Sequence, residues 1–221
     1  MRLLNGDSLE IMPTLPDKMF DAILTDPPKP IGNLEFSLPV IDEFHRLTDG
    51  PIAWITERTK IHQTRPRWGK EQVDYANRNL EIKRQLPPPD AVWTWKPPVT
   101  YRFKGVDGAT EYSYNPVQSD FHSIIVWQLE KPPWLTVSLF EMPVEKGWWV
   151  NEFSKPVFLM QALLALLTKQ GDLVFDPFVG RGTTALACAT EDRAFMGIDT
   201  DMEAIHVTER RLAEYYDRKE A

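Results

Sequence analysis

A single cysteine, Cys188, occurs in 221 residues, so the chain can form neither an internal disulfide nor a multi-cysteine zinc site. Histidine is scarce as well, and His45, His62, His122 and His206 are scattered, which suggests no metal site. Long hydrophobic runs are missing. The longest, Val157 to Leu167, contains Gln161 and is too short to cross a bilayer. The first residues, Met1-Arg2-Leu3-Leu4-Asn5-Gly6-Asp7, turn polar too soon for a signal peptide. No membrane partner is expected, and a reduced, cytoplasmic protein is. Positive charge is in deficit, with 25 Lys and Arg against 32 Asp and Glu and a net charge of −7. That balance counts against nucleic-acid binding by the whole surface and leaves only local basic segments for it. Against these shortages stands 43% hydrophobic content, enough for a core. The length suits one α/β domain with a modest insertion.

Short apolar runs bounded by turn residues predict strands over Phe20 to Thr25, Ile52 to Thr56, Ala91 to Trp95, His122 to Gln128, Leu173 to Phe175 and Ala194 to Ile198. Between the later ones lie helical signals. Pro156 suits a first helical turn and Gly171 closes the pattern that follows. Thr183 to Thr190 is small and helix-compatible, and Asp201 predicts an N-cap for a helix with Ile205, Leu212 and Tyr216 on one face. Helix, strand, helix, strand, helix in succession implies a parallel, doubly wound sheet. From Lys29 to Val150 the chain is rich in proline, tryptophan and charge, with Pro87-Pro88-Pro89 as a stiff connection. Some strands there should complete the sheet, and the rest should form an insertion on its rim.

Two segments carry chemistry. In Asp176-Pro177-Phe178-Val179-Gly180-Arg181-Gly182-Thr183-Thr184 a strand leads through glycines into a helix, and Gly180 and Gly182 permit a tight turn and close ligand approach. A structural turn would explain the glycines alone. Asp199, at the end of the next strand, adds a carboxylate placed to accept hydrogen bonds from ribose hydroxyls. Its other reading is an N-cap, a role better suited to Asp201. The second segment is Ile23-Leu24-Thr25-Asp26-Pro27-Pro28, a rigid strand-end corner, since proline fixes its own φ and restricts its predecessor. Such a corner can aim the Asp26 carboxylate and the Pro27 carbonyl at one amino group.

These two segments resemble the catalytic and cofactor motifs of the DNA methyltransferases that methylate exocyclic amines. The Asp-Pro-Pro corner precedes the glycine loop, an order that resembles the permuted β class of that family. Asn5-Gly6-Asp7-Ser8, Ser154-Lys155-Pro156 with its apolar helix, and Gly197-Ile198-Asp199 followed by Arg210-Arg211-Leu212 fit the same template. The matches cover residues 1 to 28 and 150 to 215. The resemblance implies a Rossmann-like α/β methyltransferase fold, a mostly parallel sheet with helices on both faces, as one domain with a target-recognition insertion within about 57–120. S-adenosylmethionine is the implied cofactor, held by Asp7, Lys155, Asp176, Phe178, Gly180, Gly182, Thr183 and Asp199. Asp26, Pro27 and Pro28 are the implied catalytic corner. The target base would leave the duplex to reach it, and Asp at the head of the corner favours adenine N6 over cytosine N4. Double-stranded DNA is the implied substrate, a bacterial or phage-infected cell the implied setting, and a homodimer or a partner restriction enzyme the implied associations.

Two positions depart from the family. The corner continues with Lys29 where the family usually has an aromatic residue that stacks on the base, so Lys29 could contact a phosphate, or Phe36 could stack instead. Phe153-Ser154 stands where Thr-Gln usually precedes Lys-Pro. For DNA contact, Glu57 to Arg84 carries Arg58, Lys60, Arg65, Arg67, Lys70, Arg78, Lys83 and Arg84 against four acidic residues, a local net charge of +4. An ordinary solvated helix face is the other reading of that segment. Trp93, Trp95, Tyr101 and Phe103 lie near Lys96, Arg102 and Lys104, although Trp93 and Trp95 also suit one face of a buried strand. Cys188, within Ala187-Cys188-Ala189, reads as core packing, which argues against cytosine C5 chemistry with its thiolate nucleophile. Competing readings are a non-catalytic cofactor-binding relative, a methyltransferase for RNA or protein, and a cytosine N4 enzyme. A dinucleotide oxidoreductase fails because the full G-x-G-x-x-G is missing.

Overall fold

Ile23 and Leu24 are neighbours on one strand and bury on opposite faces of a sheet, and the same alternation runs across its centre. The computed structural model describes residues 1–28, 34–56, 91–96, 101–104, 111–114, 122–128, 139–141 and 155–220. Its strands are β1 (Arg2–Asn5), β2 (Ala22–Thr25), β3 (Ile52–Thr56), β4 (Ala91–Lys96), β5 (Tyr101–Lys104), β6 (Glu111–Tyr114), β7 (His122–Trp127), β8 (Leu139–Glu141), β9 (Leu173–Asp176) and β10 (Ala194–Asp199). Eight of them form one sheet in the order β1-β10-β9-β2-β3-β7-β4-β8, and β5 pairs with β6 separately. From β1 to β3 every pairing is parallel, whereas β7 runs antiparallel to both β3 and β4. The sheet is thus mostly parallel with one reversed strand.

Helices cover both faces. Helix α2 (Leu34–Leu47) packs Val40, Ile41, Phe44 and Leu47 on Ile23, Ile52, Trp54, Phe175 and Met196. On the opposite face Leu24, Ala53, Ile55, Val174 and Phe195 meet α3 (Val157–Leu167), α4 (Thr183–Thr190) and α5 (Met202–Glu220). Because successive strand residues point to opposite faces, strands buried on both sides read as continuous apolar runs. That is why the runs at β2, β3, β9 and β10 were legible.

Helix α2 was not, because Pro39 lies inside it. An interior proline costs roughly 3 kcal/mol. Burying the Val40, Ile41, Phe44 and Leu47 side chains at roughly 1.5–3 kcal/mol each outweighs it. The short edge strand β1 and the one-turn helix α1 (Ser8–Ile11) also carry little local signal.

Several boundaries differ from expectation. The run at Phe20 yields a strand only from Ala22; Phe20 makes an isolated bridge with Thr48 and stacks on Phe175 at 4.2 Å. Gln128 leaves β7 with a φ of 58. Pro156 is the N-cap of α3, and that helix stops at Leu167, before Gly171. There the Thr168 amide and hydroxyl both donate to the Leu164 carbonyl, at 2.9 and 2.6 Å. Asp201 caps α5 as expected, accepting from the Glu203 amide at 2.9 Å. Ile205 and Leu212 are buried, but Tyr216 is exposed, and Tyr215 packs on the core in its place.

The topology marks one place for a ligand. From β9 the chain passes through α4 to β10 on one side; from β2 it passes through α2 to β3 on the other. Neighbouring parallel strands β9 and β2 therefore send their crossovers in opposite directions over opposite faces. Such a switch point opens a crevice at the strands' carboxyl ends.

Candidate active site

A cleft of about 630 Å³ occupies that crevice. Asp26, Pro27 and Pro28 reach it from the end of β2, Asp176 from the last position of β9, and Phe178 and Gly180 from the loop that follows. Asp7, Lys155, Thr183 and Asp199 complete the wall. Segments distant in sequence thus meet in one place.

Asp176 is the buried centre of this arrangement, 2% exposed. Its Oδ1 accepts from the Thr25 hydroxyl at 2.7 Å and from the Phe178 amide at 3.0 Å. Burial pushes its carboxyl up to about 6; hydrogen bonds from Thr184, Thr25 and the Phe178 amide oppose the rise, and the Asp26 carboxylate adds to it.

Asp199 braces the glycine loop. One carboxylate oxygen accepts from the Gly180 amide at 2.7 Å and the other from the Asp201 amide at 2.9 Å. Gly180 has a φ of +52, and a Cβ there would point into open space within 4 Å. Gly182 does not line the cleft. At a φ of +78 it turns beneath α5, where a Cβ would lie 2.4 Å from Thr208 Cγ2. The Arg181 carbonyl is held from the same helix by Arg211 at 2.5 Å.

The amino-terminal corner is laced to the same loops. Asp7 caps α1 by accepting from the Leu9 amide at 2.8 Å. The neighbouring Ser8 hydroxyl donates to the Pro177 carbonyl. Asn5 donates to the carbonyls of Asp199 and Thr200 at 3.0 and 3.1 Å.

At the strand-end corner the Asp26 carboxylate meets Lys155. Nζ lies 2.5 Å from Oδ2, with the lysine side chain 7% exposed and the aspartate 22%. Asp26 Oδ1 is also buried and has no hydrogen-bond partner among the described residues. Pro27 is buried and Pro28 exposed. Phe36, on α2, lines the cleft and packs on Phe178 at 5.6 Å between ring centres.

Lys29, Phe153 and Ser154 lie outside the described residues, as do Pro87 to Pro89 and the basic segment with Arg58, Lys60, Arg65, Arg67 and Lys70. Of Trp93 and Trp95 the structure gives the backbone, paired with Ile124 and His122 on β7. Sequence reasoning missed Thr25, Ser8 and Arg211 as supports of the site. A hydroxyl next to Asp26 and another next to Asp7 were visible, but only the strand register shows what they reach.

A family model described as DNA methylase, of the N6/N4 methyltransferase type, matches residues 21–210. The chain belongs to that family. Among individual members, type II methyltransferase M2.DpnII of Streptococcus pneumoniae is 38% identical over 69 residues, which is 31% of this chain and 26% of that protein. M.HinfI of Haemophilus influenzae is 25% identical over 96% of this chain and 68% of its own length. The chain thus spans about a quarter of the first of these relatives and about two thirds of the second. Among solved structures, a putative DNA modification methylase of Thermus thermophilus, complexed with S-adenosyl-L-methionine, superposes with a TM-score of 0.61. It is 19% identical over 96% of this chain and 93% of that one. PvuII DNA methyltransferase, described as cytosine-N4-specific, gives 0.68 at 15% identity over 98% and 91%. At these identities the two structures speak for the fold, and the methylase family shares it with this chain.

Proposed function

We propose that this DNA methylase family member transfers a methyl group from S-adenosylmethionine to the exocyclic amine of a base turned out of double-stranded DNA, with adenine N6 as the target. The carrying observation is the Asp26 carboxylate, which stands at the cleft with one oxygen held by Lys155 and the other without a partner among the described residues. An exocyclic NH₂ is the donor that such an oxygen lacks.

The cleft suits the cofactor. Asp199 brings a carboxylate suited to ribose hydroxyls and Asp7 one suited to the cofactor's adenine, and both suit a cationic ligand. Phe178 presents an aromatic ring, and the space in front of Gly180 is open to a ligand. S-adenosylmethionine supplies a methyl carbon activated by a sulfonium, and no covalent enzyme intermediate is needed. The chain's own work is placement. Asp26 Oδ1 and the Pro27 carbonyl accept the amine's two N–H groups and orient its lone pair for in-line attack. The N–C bond would form as the methyl's bond to sulfur breaks and the cofactor leaves as a neutral thioether, and Asp26 Oδ1 would accept the proton that the methylated amine then gives up. Holding the reactants so accounts for a large share of the barrier reduction. A thiolate route finds no support: Cys188 is fully buried, and burial pushes its thiol far up.

A second reading is cytosine N4, the other exocyclic amine that the N6/N4 methylase family covers; Asp26 at the head of the corner supports adenine. On the proposed reading the setting is a bacterial cytoplasm and a restriction enzyme is the natural counterpart; sizing with and without DNA tests the homodimer. The deciding experiment is transfer of labelled methyl to unmethylated duplex DNA, followed by nucleoside analysis, with Asp26→Ala as control. Label on adenine N6 that vanishes in the variant is the expected result. Label on cytosine N4 selects the second reading, and cofactor binding without transfer selects a non-catalytic relative.

A further inference from the structure

Lys155 belongs by motif to the cofactor segment, yet its ammonium is committed to the carboxylate of the corner. Resting on the methyl-transfer reading, we propose that Lys155 is a positioning residue. By holding Oδ2 it fixes the orientation of Asp26 and leaves Oδ1, buried and without a partner among the described residues, as the acceptor for the target amine.

A carboxylate has two equivalent oxygens and turns readily about its last side-chain bond. An unheld Asp26 would divide its time among orientations, only some of which aim an oxygen correctly. The 2.5 Å contact from a lysine only 7% exposed removes that freedom, since charge-assisted hydrogen bonds are the strong ones. What remains is an asymmetric group with Oδ2 engaged and Oδ1 buried without a partner among the described residues.

Lys155 is itself well fixed. Pro156, at a φ of −64 and a ψ of 140, restricts the residue before it to extended backbone. Just beyond, Val157, Leu159 and Met160 anchor the start of α3 in the core. The ammonium therefore rides on packed structure. Two acids meet at this wall of the cleft, Asp26 after β2 and Asp176 at the end of β9, and among the described lining residues only Lys155 and Arg181 are cationic. Removing the lysine would leave a part-buried carboxylate uncompensated beside a second acid.

The test compares wild type with Lys155→Met, Lys155→Arg, Asp26→Asn and the Asp26→Asn, Lys155→Met double variant. Calorimetry reads S-adenosylmethionine affinity, single-turnover assays on duplex DNA at saturating cofactor read transfer, and urea midpoints read stability. The expected result for Lys155→Met is a loss of about tenfold or more in transfer rate, with cofactor affinity changed by no more than about twofold. Lys155→Arg recovers part of the rate, and Lys155→Met costs nothing further in the Asp26→Asn background. Its urea midpoint falls in the wild-type background and not in that one. Should Lys155→Met fail to fold, the double variant, which carries no unpaired carboxylate, and Lys155→Arg supply the same comparisons. A cofactor affinity weakened tenfold with an unchanged saturated rate would make Lys155 a cofactor ligand and overturn the proposal, as would equal losses in both Asp26 backgrounds. Wild-type protein that binds cofactor and transfers nothing sinks the functional reading instead, and affinities and midpoints then still decide which partner Lys155 serves.

Discussion

The Thr25 hydroxyl donates to Asp176 Oδ1 at 2.7 Å across 151 residues of sequence. This bond joins the carboxyl ends of β2 and β9, the two strands whose crossovers part to open the cleft. It also helps to stabilise a carboxylate that burial disfavours, so its consequences are open to titration.

Burial raises the Asp176 carboxyl from its ordinary 3.8 to about 6. Between those values the folded protein keeps a proton that the unfolded chain has released. The contribution of Asp176 to stability is therefore fully present below about pH 4, declines as pH rises, and levels off above about pH 6. Asp176→Asn should gain on wild type over that window, by at most about 3 kcal/mol. Urea midpoints of the two proteins from pH 4 to 8 check this, and a constant difference would show that the carboxyl does not titrate there. Thr25→Val should lower the stability at pH 7 by about 1–3 kcal/mol, because a buried acceptor loses a donor.

The two loop glycines should separate stability from binding. Gly182→Ala drives a Cβ to 2.4 Å from Thr208 at a φ of +78 and should cost about 2 kcal/mol or more. Gly180→Ala meets open space, so it should cost about 1 kcal/mol for the left-handed backbone and act chiefly on cofactor affinity. Thermal melts paired with calorimetry check both. Equal losses in melting temperature would contradict the placement of Gly182 beneath α5.

Cys188 should resist alkylation in native buffer and react fully in denaturant, because only the thiolate is nucleophilic and burial suppresses it. Mass spectrometry after iodoacetamide treatment reads the difference. Cys188→Ala should retain methyl transfer, and its loss with the fold intact would reopen a thiol-dependent mechanism.

How far the fold was legible depended on how local its causes are. The bounds of β3 and α4 coincide with the predicted Ile52 to Thr56 and Thr183 to Thr190, since apolar runs and a glycine-led helix start are set by near neighbours. Helix α2 stayed hidden because Pro39 interrupts the local pattern and only burial against the sheet outweighs it. Helix α3 ends short of Gly171 because the Thr168 hydroxyl and amide close it first. The reversal of β7 had no signal at all, as strand direction is decided by connections and partners rather than by composition.

The site divides the same way. By itself the sequence determined the rigid Asp26-Pro27-Pro28 corner, the glycine turn at Gly180 and the continuous apolar runs of the central strands. These follow from restricted φ angles and side-chain periodicity within a few residues. Only the tertiary structure decided that Lys155 pairs with Asp26, that Thr25 and Ser8 support the Asp176 loop, and that Gly182 turns from the cleft while Gly180 lines it. Hydrogen bonds and charge pairs act over a few ångströms, so their partners are set by which strands lie side by side, and register between distant segments is a property of the packed sheet.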